Sequence, residues 1–511
     1  MTSCVSIAPG PVGRRYSGAV IEAVRHELAS GDPEQARRTL RRNWLRLILE
    51  SHTAELEQLC LAAPDPHDPH VLLIRACCRD LLGDTFGATF LRGQGMRVAS
   101  DDFVACFTEL LLAPDTPTKA ALADRAREAL SQCGPDDDYP SALFLLGWTE
   151  VRLRRDPAGA IALLRSAADE ARLRGHAETL RLAQSNLAFA LTHAGLFTEA
   201  EQILDALPAS ASPSDWDRFE GGLPQANRGC IAYWRGDFEG AIVHLDSVIA
   251  DGTPGNNFEA LARLYLVMSL IALRRQDRYY NAGALLQGVS RADKHGVPWD
   301  TLRRVVSAWL SHAEDRDDRA RGVAAPVLSA RTGAPVAHAR LAELYRVMGE
   351  PALAAQALRL ASTTALPRYA LVNTLVTSAA LNAEAGRGPQ AHEQLDRALE
   401  AATAEKVLAP FLADDEVIGD LLGAHVHRGS RHHALLQSIL ERRGRLTSLL
   451  DGVLTRRESE ILACLRTEMT AEEIATHLGI SYPTVKTHIR SVYRKLGVST
   501  RRAAVHAVDA R

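Results

Sequence analysis

Lys486, Arg490 and Arg494 recur at i, i+4 and i+8. On a helix this spacing stacks three cations along one face. Thr487 and Pro483 lie beside the row and Lys495 follows it. The segment 482–496 holds four basic residues and no acidic one, and two of the five lysines in the whole chain fall within it. A row of cations with neighbouring hydroxyls can pair with phosphates and reach base edges. A basic row alone is more often a solvated helix face. Its meaning depends on the elements that hold it.

Those elements can be read from their caps. Thr455 with Glu458, and Thr470 with Glu473, have the spacing of capping boxes, in which a hydroxyl and a carboxylate satisfy two orphan amides. Ser481 can cap a third helix, and Ser499 or Thr500 a fourth. Gly479 and Gly497 stand where a helix must end at positive φ. Four helices are predicted, at roughly 455–466, 470–478, 482–496 and 500–509, with ends uncertain by about two residues. In the third, Val485, Ile489, Val492 and Leu496 form a narrow apolar stripe that must pack on the first two. The basic row lies about a right angle or more around the helix from that stripe. His488 faces away from the row, which suits a structural or phosphate-contacting role. Tyr482 can touch a phosphate or cover the core edge. A basic row on the second helix of a helix-turn-helix is where DNA readers place base and phosphate contacts.

Residues 454–508 resemble the LuxR-type helix-turn-helix, also found at the end of NarL-like response regulators. The likeness rests on Leu454, Thr455, Arg457, Glu458, Glu460, Ile461 and Leu462. It continues through Glu473, Ile474, Ala475, Leu478, Ile480, Ser481, Thr484, Val485, Lys486 and His488, then Lys495, Leu496, Gly497, Val498 and Arg501 or Arg502. The resemblance implies that the third helix enters the major groove and that the fourth, 500–509, makes a homodimer contact. It carries Lys486, Thr487 and Arg490 into base- and phosphate-facing positions. Candidate DNA contacts are therefore Lys486, Thr487, Arg490, Arg494, Lys495, Thr484, His488, Tyr482 and Ser481. Two departures stand out. Glu468 replaces a usual small residue, and Ala471-Glu472 a usual polar pair, which weakens backbone contacts from the second helix.

The rest of the chain differs in character. Of 511 residues, 451–511 hold ten Lys and Arg against seven Asp and Glu, while the other 450 balance 49 against 55. The body is mildly acidic and unsuited to gripping nucleic acid. Aromatics are 5% of residues, and Ala, Leu and Arg dominate, a helix-forming composition. The first fifteen residues show no apolar leader, and the uncharged stretch 369–383 is too short to cross a bilayer. The eight cysteines are scattered without metal-ligand spacing, so reduced, buried thiols of a cytoplasmic protein are expected.

A turn followed by a small-residue helix recurs. Arg155-Asp156-Pro157 leads to Ala160, Gly195-Leu196-Phe197 to Ala200, Gly236-Asp237-Phe238 to Ala241, and Gln276-Asp277-Arg278 to Ala282. The second turn residues, 156, 196, 237 and 277, are 40 or 41 apart. Further copies begin near Gly31, Gly83, Gly349 and Gly386. Each unit reads as a helix hairpin that cannot bury its face alone, so the units stack. This resembles a tetratricopeptide array. The segments around Ala23–Asp32, Asn43-Trp44, Leu82–Asp84 and Ala409–Leu412 resemble parts of large MalT-like LuxR regulators. Those begin with an ATPase whose Gly-rich phosphate loop has no counterpart here.

The expected fold class is all-α: a TPR-like helical-repeat solenoid followed by a C-terminal four-helix LuxR-type HTH domain. The expected division is a disordered 1–15, a repeat domain 16–440 that takes an unknown small molecule or protein, a linker 441–452, and the DNA-binding domain 453–511. No nucleophile, cofactor or metal constellation is expected. The Asp136–Asp138 run reads as a solvated loop. His425, His427, His432 and His433 read as a hinge before the C-terminal domain, and Arg442-Arg443-Gly444-Arg445 as linker. The functional expectation is a transcription regulator, an activator, acting on double-stranded promoter DNA with RNA polymerase as a candidate partner. The alternative is a helical-repeat scaffold whose C-terminal domain serves heterodimerisation with another regulator.

Overall fold

A computed structural model describes residues 13–505 apart from 64, 66, 98–101, 114–115, 133–137, 208–218, 220–222, 251–256, 293–296, 330–333, 363–364, 451–455, 468, 496–497, 499 and 502. The described residues are α-helices joined by turns and two short 3-10 segments, with no β-sheet among them. The chain forms two compact units, one of residues 1–194 with 198–224 and the other of 195–197 with 225–511.

In both units the building block is an antiparallel helix pair. In the first unit, Tyr139–Leu153 packs along Pro157–Arg174, and Pro69–Leu81 along Thr85–Gly95. In the second, Trp299–Ala313 packs along Asp317–Ser329, Pro335–Val347 along Pro351–Ala361, and Arg368–Glu384 along Gly388–Thr403. The turns have a shared local chemistry. Asp32, Asp84, Asp156 and Asp237 each accept a backbone N–H three residues on, capping the second helix of a pair. This satisfies one of the amides that a helix N-terminus leaves unpaired. The expected turn glycines Gly31, Gly83, Gly195, Gly236, Gly349 and Gly386 all have positive φ.

The interior explains the recurring alanines. Ala160, Ala200, Ala241 and Ala282 are at most 1% exposed, and Ala320, Ala354 and Ala391 occupy the equivalent place in later pairs at 0%. Leu164, Leu204, Leu245 and Leu286 bury beside the first four. Closeness of approach is the reason for small residues. A Cβ on Gly229 would lie 2.5 Å from Leu245 Cγ. Enlarging such a position forces the helices apart, at a cost of about 1–3 kcal/mol.

One repeat copy escaped the sequence pattern. The turn between Trp299–Ala313 and Asp317–Ser329 has no glycine, and Asp315 takes the left-handed conformation at φ 59°. Arg154 and Arg274 do the same at two turns the pattern did mark. The Asp136–Asp138 run also departs from expectation. Asp138 is fully buried, and its carboxylate accepts the backbone amides of Leu45 and Arg46 at 3.2 and 3.0 Å. It therefore ties two helices of the first unit together. Asp136 and Asp137 lie outside the described residues.

In the second unit, residues 405–415 gather several helices. Leu408 N–H donates to Trp234 O at 2.9 Å, and Arg235 Nε to Glu405 O at 3.3 Å. Arg346 is paired with Glu384 and Asp415. Helix His433–Leu450 follows, taking in most of the stretch expected as linker. Arg443 on this helix donates to the carbonyls of Phe411, Ala413 and Asp415, and Arg442 to that of Arg235. These arginines hold backbone of residues 235 and 411–415, in a stretch the sequence suggested as the start of a linker. His425 differs likewise: it is 2% exposed, inside helix Glu416–Arg428.

Candidate nucleic-acid interface

The C-terminal helices are Arg456–Leu465, Ala471–Leu478 and Tyr482–Lys495. Residues 501 and 503–505 are helical too, and residues 502 and 506–509 of the expected fourth helix lie outside the described residues. Thr470 accepts Glu473 N–H at 3.3 Å while Glu473 accepts Thr470 N–H at 2.7 Å, the reciprocal capping box. Gly479 then ends that helix at φ +66°, with Ile480 N–H returning to Ala475 O. Ser481 Oγ accepts Thr484 N–H at 3.3 Å and starts the next helix. Thr500 Oγ1 accepts Ala503 N–H at 3.2 Å. The proposed cap at Thr455, and the turn glycine Gly497, lie outside the described residues.

A small core fixes helix Tyr482–Lys495 in place. Val485 and Val492 are fully buried. Val485 packs with Ile461, Cys464, Leu465, Ile474 and Ala475, and Val492 with Leu462 and Ala504. Ile489 is half-buried against the first group. The expected apolar stripe thus faces the other helices at 485, 489 and 492, while Leu496 lies outside the described residues.

Three polar joints add to that packing. Glu458 is 4% exposed and accepts Ser491 Oγ–H at 2.7 Å, which sets the rotation of helix Tyr482–Lys495. Arg457 donates to Leu478 O at 2.7 Å and pairs with Glu460 at 2.8 Å. Arg501 donates to Leu465 O at 3.0 Å, Met469 O at 2.6 Å and Thr467 O at 2.5 Å. It covers the carbonyls at the end of the first helix, where no glycine cap exists. Sequence reasoning placed these residues in a motif without assigning the joints. A buried acid one turn into an amphipathic helix was the available signal for Glu458.

On the other side of the helix, Ser481, Thr484, Lys486, Thr487 and Arg490 are exposed. Lys486 Nζ sits 4.7 Å from the Tyr482 ring centroid. Tyr482 is half-buried against the small core, so it covers the core edge and carries Lys486 on its outer face. The phenol beside it holds the Lys486 ammonium above its ordinary value, with a smaller contribution from Glu472. Lys486 therefore stays charged. Arg494 and Lys495 continue the same helix. His488 is half-buried and, with His312 and Arg457, opposes the upward pull of burial on the carboxyl of Asp315.

The geometry presents one helix, braced on its apolar side, with hydroxyls and cations along its open side. Such a surface can pair with phosphates and bond to base edges. Elsewhere the described residues contain no group of three or more His, Cys, Asp or Glu able to hold a metal ion. No described helix is long and apolar enough to cross a membrane. The six described cysteines, 60, 77, 78, 106, 230 and 464, are buried.

Residues 452–508 match the family of bacterial regulatory proteins, luxR family. A stretch of the chain is 29% identical over 161 residues to the HTH-type transcriptional regulator MalT of Vibrio cholerae serotype O1, covering 26% of this chain and 18% of that relative. Among solved structures, a tetratricopeptide repeat protein from Parabacteroides merdae is similar at a TM-score of 0.35 and 16% identity, over 56% of this chain and 98% of that one. The APC/C hetero-tetramer Cut9-Hcn1 is similar at 0.45 and 12% identity, over 93% and 96%.

Proposed function

We propose that this protein, whose C-terminal domain is a LuxR-type helix-turn-helix, is a sequence-specific transcription regulator that reads promoter DNA with helix Tyr482–Lys495. The observation that carries the reading is the division of this helix into two sides. Val485 and Val492 are locked in the core while Lys486, Thr487 and Arg490 are exposed. A helix held rigidly by one side can hold base-reading groups in register on the other. Arg490, Thr487 and Lys486 are the base- and phosphate-facing residues. Ser481 and Thr484 at the helix start, with Arg494, Lys495, Tyr482 and His488, complete the contact set.

The helical repeats receive a small molecule or protein and govern when the DNA-binding domain acts. Two copies joined through 500–509 would set two recognition helices on two half-sites, in the bacterial cytoplasm, with RNA polymerase recruited at an activated promoter. The relative MalT, a transcriptional regulator by its name, supports the regulatory part of this reading.

The test uses the full chain and DNA fragments selected from random sequence by binding. Lys486→Ala should weaken binding and lower the salt slope by about one. Arg490→Ala should cost at least tenfold in affinity for the selected sequence. If both variants bind the selected DNA as the parent does, at equal salt slope, the helix assignment is wrong. The scaffold reading rests on Glu472, an acid acting on Lys486. It requires that the chain alone selects no sequence.

A further inference from the structure

His392 and His425 face one another from helices Gly388–Thr403 and Glu416–Arg428. Their Nδ1 atoms are 3.0 Å apart, and the ring centroids 5.2 Å, with 21° between planes. His425 Nε2 lies 3.0 Å from Asp396 Oδ1. His425 is 2% exposed. The proton count of this arrangement is restrictive. In the neutral state His425 Nε2–H donates to Asp396 and its Nδ1 accepts from His392 Nδ1–H. One added proton still leaves a single Nδ1–H between the rings, with Asp396 accepting from the Nε2–H. A second proton places two Nδ1–H groups against each other, with two positive rings in contact.

Asp396 is the one carboxylate acting on His392, and Arg428 opposes it. On helix Arg368–Glu384, which packs on Glu416–Arg428, Glu384 is taken by Arg346. On helix His433–Leu450, Arg443 is spent on backbone carbonyls. Burial, Arg428 and His425 together hold the His392 imidazole below its ordinary value.

We propose that the His392–His425 pair is a proton-sensitive joint, at which a second proton parts helices Gly388–Thr403 and Glu416–Arg428. Helix His433–Leu450 packs on both of these and leads toward the DNA-binding domain. A group whose folded pKa is lowered contributes stability that is complete above its unfolded value, here near 6.5. That stability is lost as pH falls below it. The joint should hold at pH 7.5 and weaken toward pH 5.5.

The experiment is thermal melting of the full chain at pH 7.5 and 5.5, for the parent, His392→Gln and His425→Gln. Glutamine keeps a hydrogen-bonding amide and removes the titration. The parent should lose more Tm on acidification than either variant, by roughly 2 °C or more for a unit of this size. Parallel losses overturn the joint. If a variant does not fold, the imidazole titration of His392 in the parent decides. A midpoint below 6.5 supports the joint, and one at or above 6.5 overturns it. Neither readout involves DNA, so failure here leaves the DNA-binding reading intact, and the converse holds.

Discussion

Replacing Arg501 by Ala should loosen the first helix of the C-terminal domain while leaving the repeats intact. The guanidinium of Arg501 serves the carbonyl of Leu465 at the end of helix Arg456–Leu465 and those of Thr467 and Met469 in the turn that follows. A hydrogen bond to a charged group contributes about 1.5–3 kcal/mol. These contacts are half-buried or exposed, which favours the lower end. Counting two full bonds gives a loss of roughly 3 kcal/mol. At 1.4 kcal/mol per tenfold change, protection of that helix should fall about 100-fold. The assay is amide hydrogen exchange of the intact chain, read on segments within 456–465 and 471–478. Arg501→Lys restores the charge without the planar fork and should fall between the two. Protection in Arg501→Ala within about threefold of the parent would refute the reasoning. Water would then serve those carbonyls as well as the guanidinium does.

Asp138→Ala should destabilise the first unit by about 2–4 kcal/mol, since it strips a buried acceptor from two backbone amides. The check is a lower denaturant midpoint at unchanged m-value. Gly236→Ala should cost about 1–2 kcal/mol from its φ of +76° alone. The new Cβ would also sit 2.3 Å from Leu412 Cδ1, so the measured loss of Tm should exceed what the backbone strain alone gives. Arg443→Ala should raise protease cleavage and hydrogen exchange within 409–415, because three carbonyls lose their shared donor. Unchanged cleavage there would show that the arginine does not hold that segment.

Helix Tyr482–Lys495 was legible in the sequence because its determinants are local. A capping hydroxyl with an acid three residues on, a glycine after the last turn, and apolar residues every three or four positions each act within one helix. Thr470 with Glu473, Gly479, Ser481 and the Val485–Val492 stripe all appear in the structure where spacing placed them. The repeat period was legible for the same reason. A turn, several times with a glycine, and a small residue four or so positions later mark each hairpin. The copy at Asp315 was missed; like those at Arg154 and Arg274, it has a non-glycine residue that the flanking helices hold in the left-handed region.

What escaped were contacts between residues distant in sequence. An Asp in an acidic run looks solvated until a helix some 90 residues earlier offers it two amides, as at Asp138. His425 looked like part of a polar hinge because its partner, His392, stands on a different helix. Arg443 looked like linker because backbone carbonyls leave no trace in a sequence. The residues of this chain therefore determined on their own which segments are helical, where the hairpins turn and which helix carries the basic row. Helix geometry makes these properties of near neighbours. Only the tertiary structure decided which polar groups lose water and what replaces it, because desolvation depends on everything that closes over a side chain.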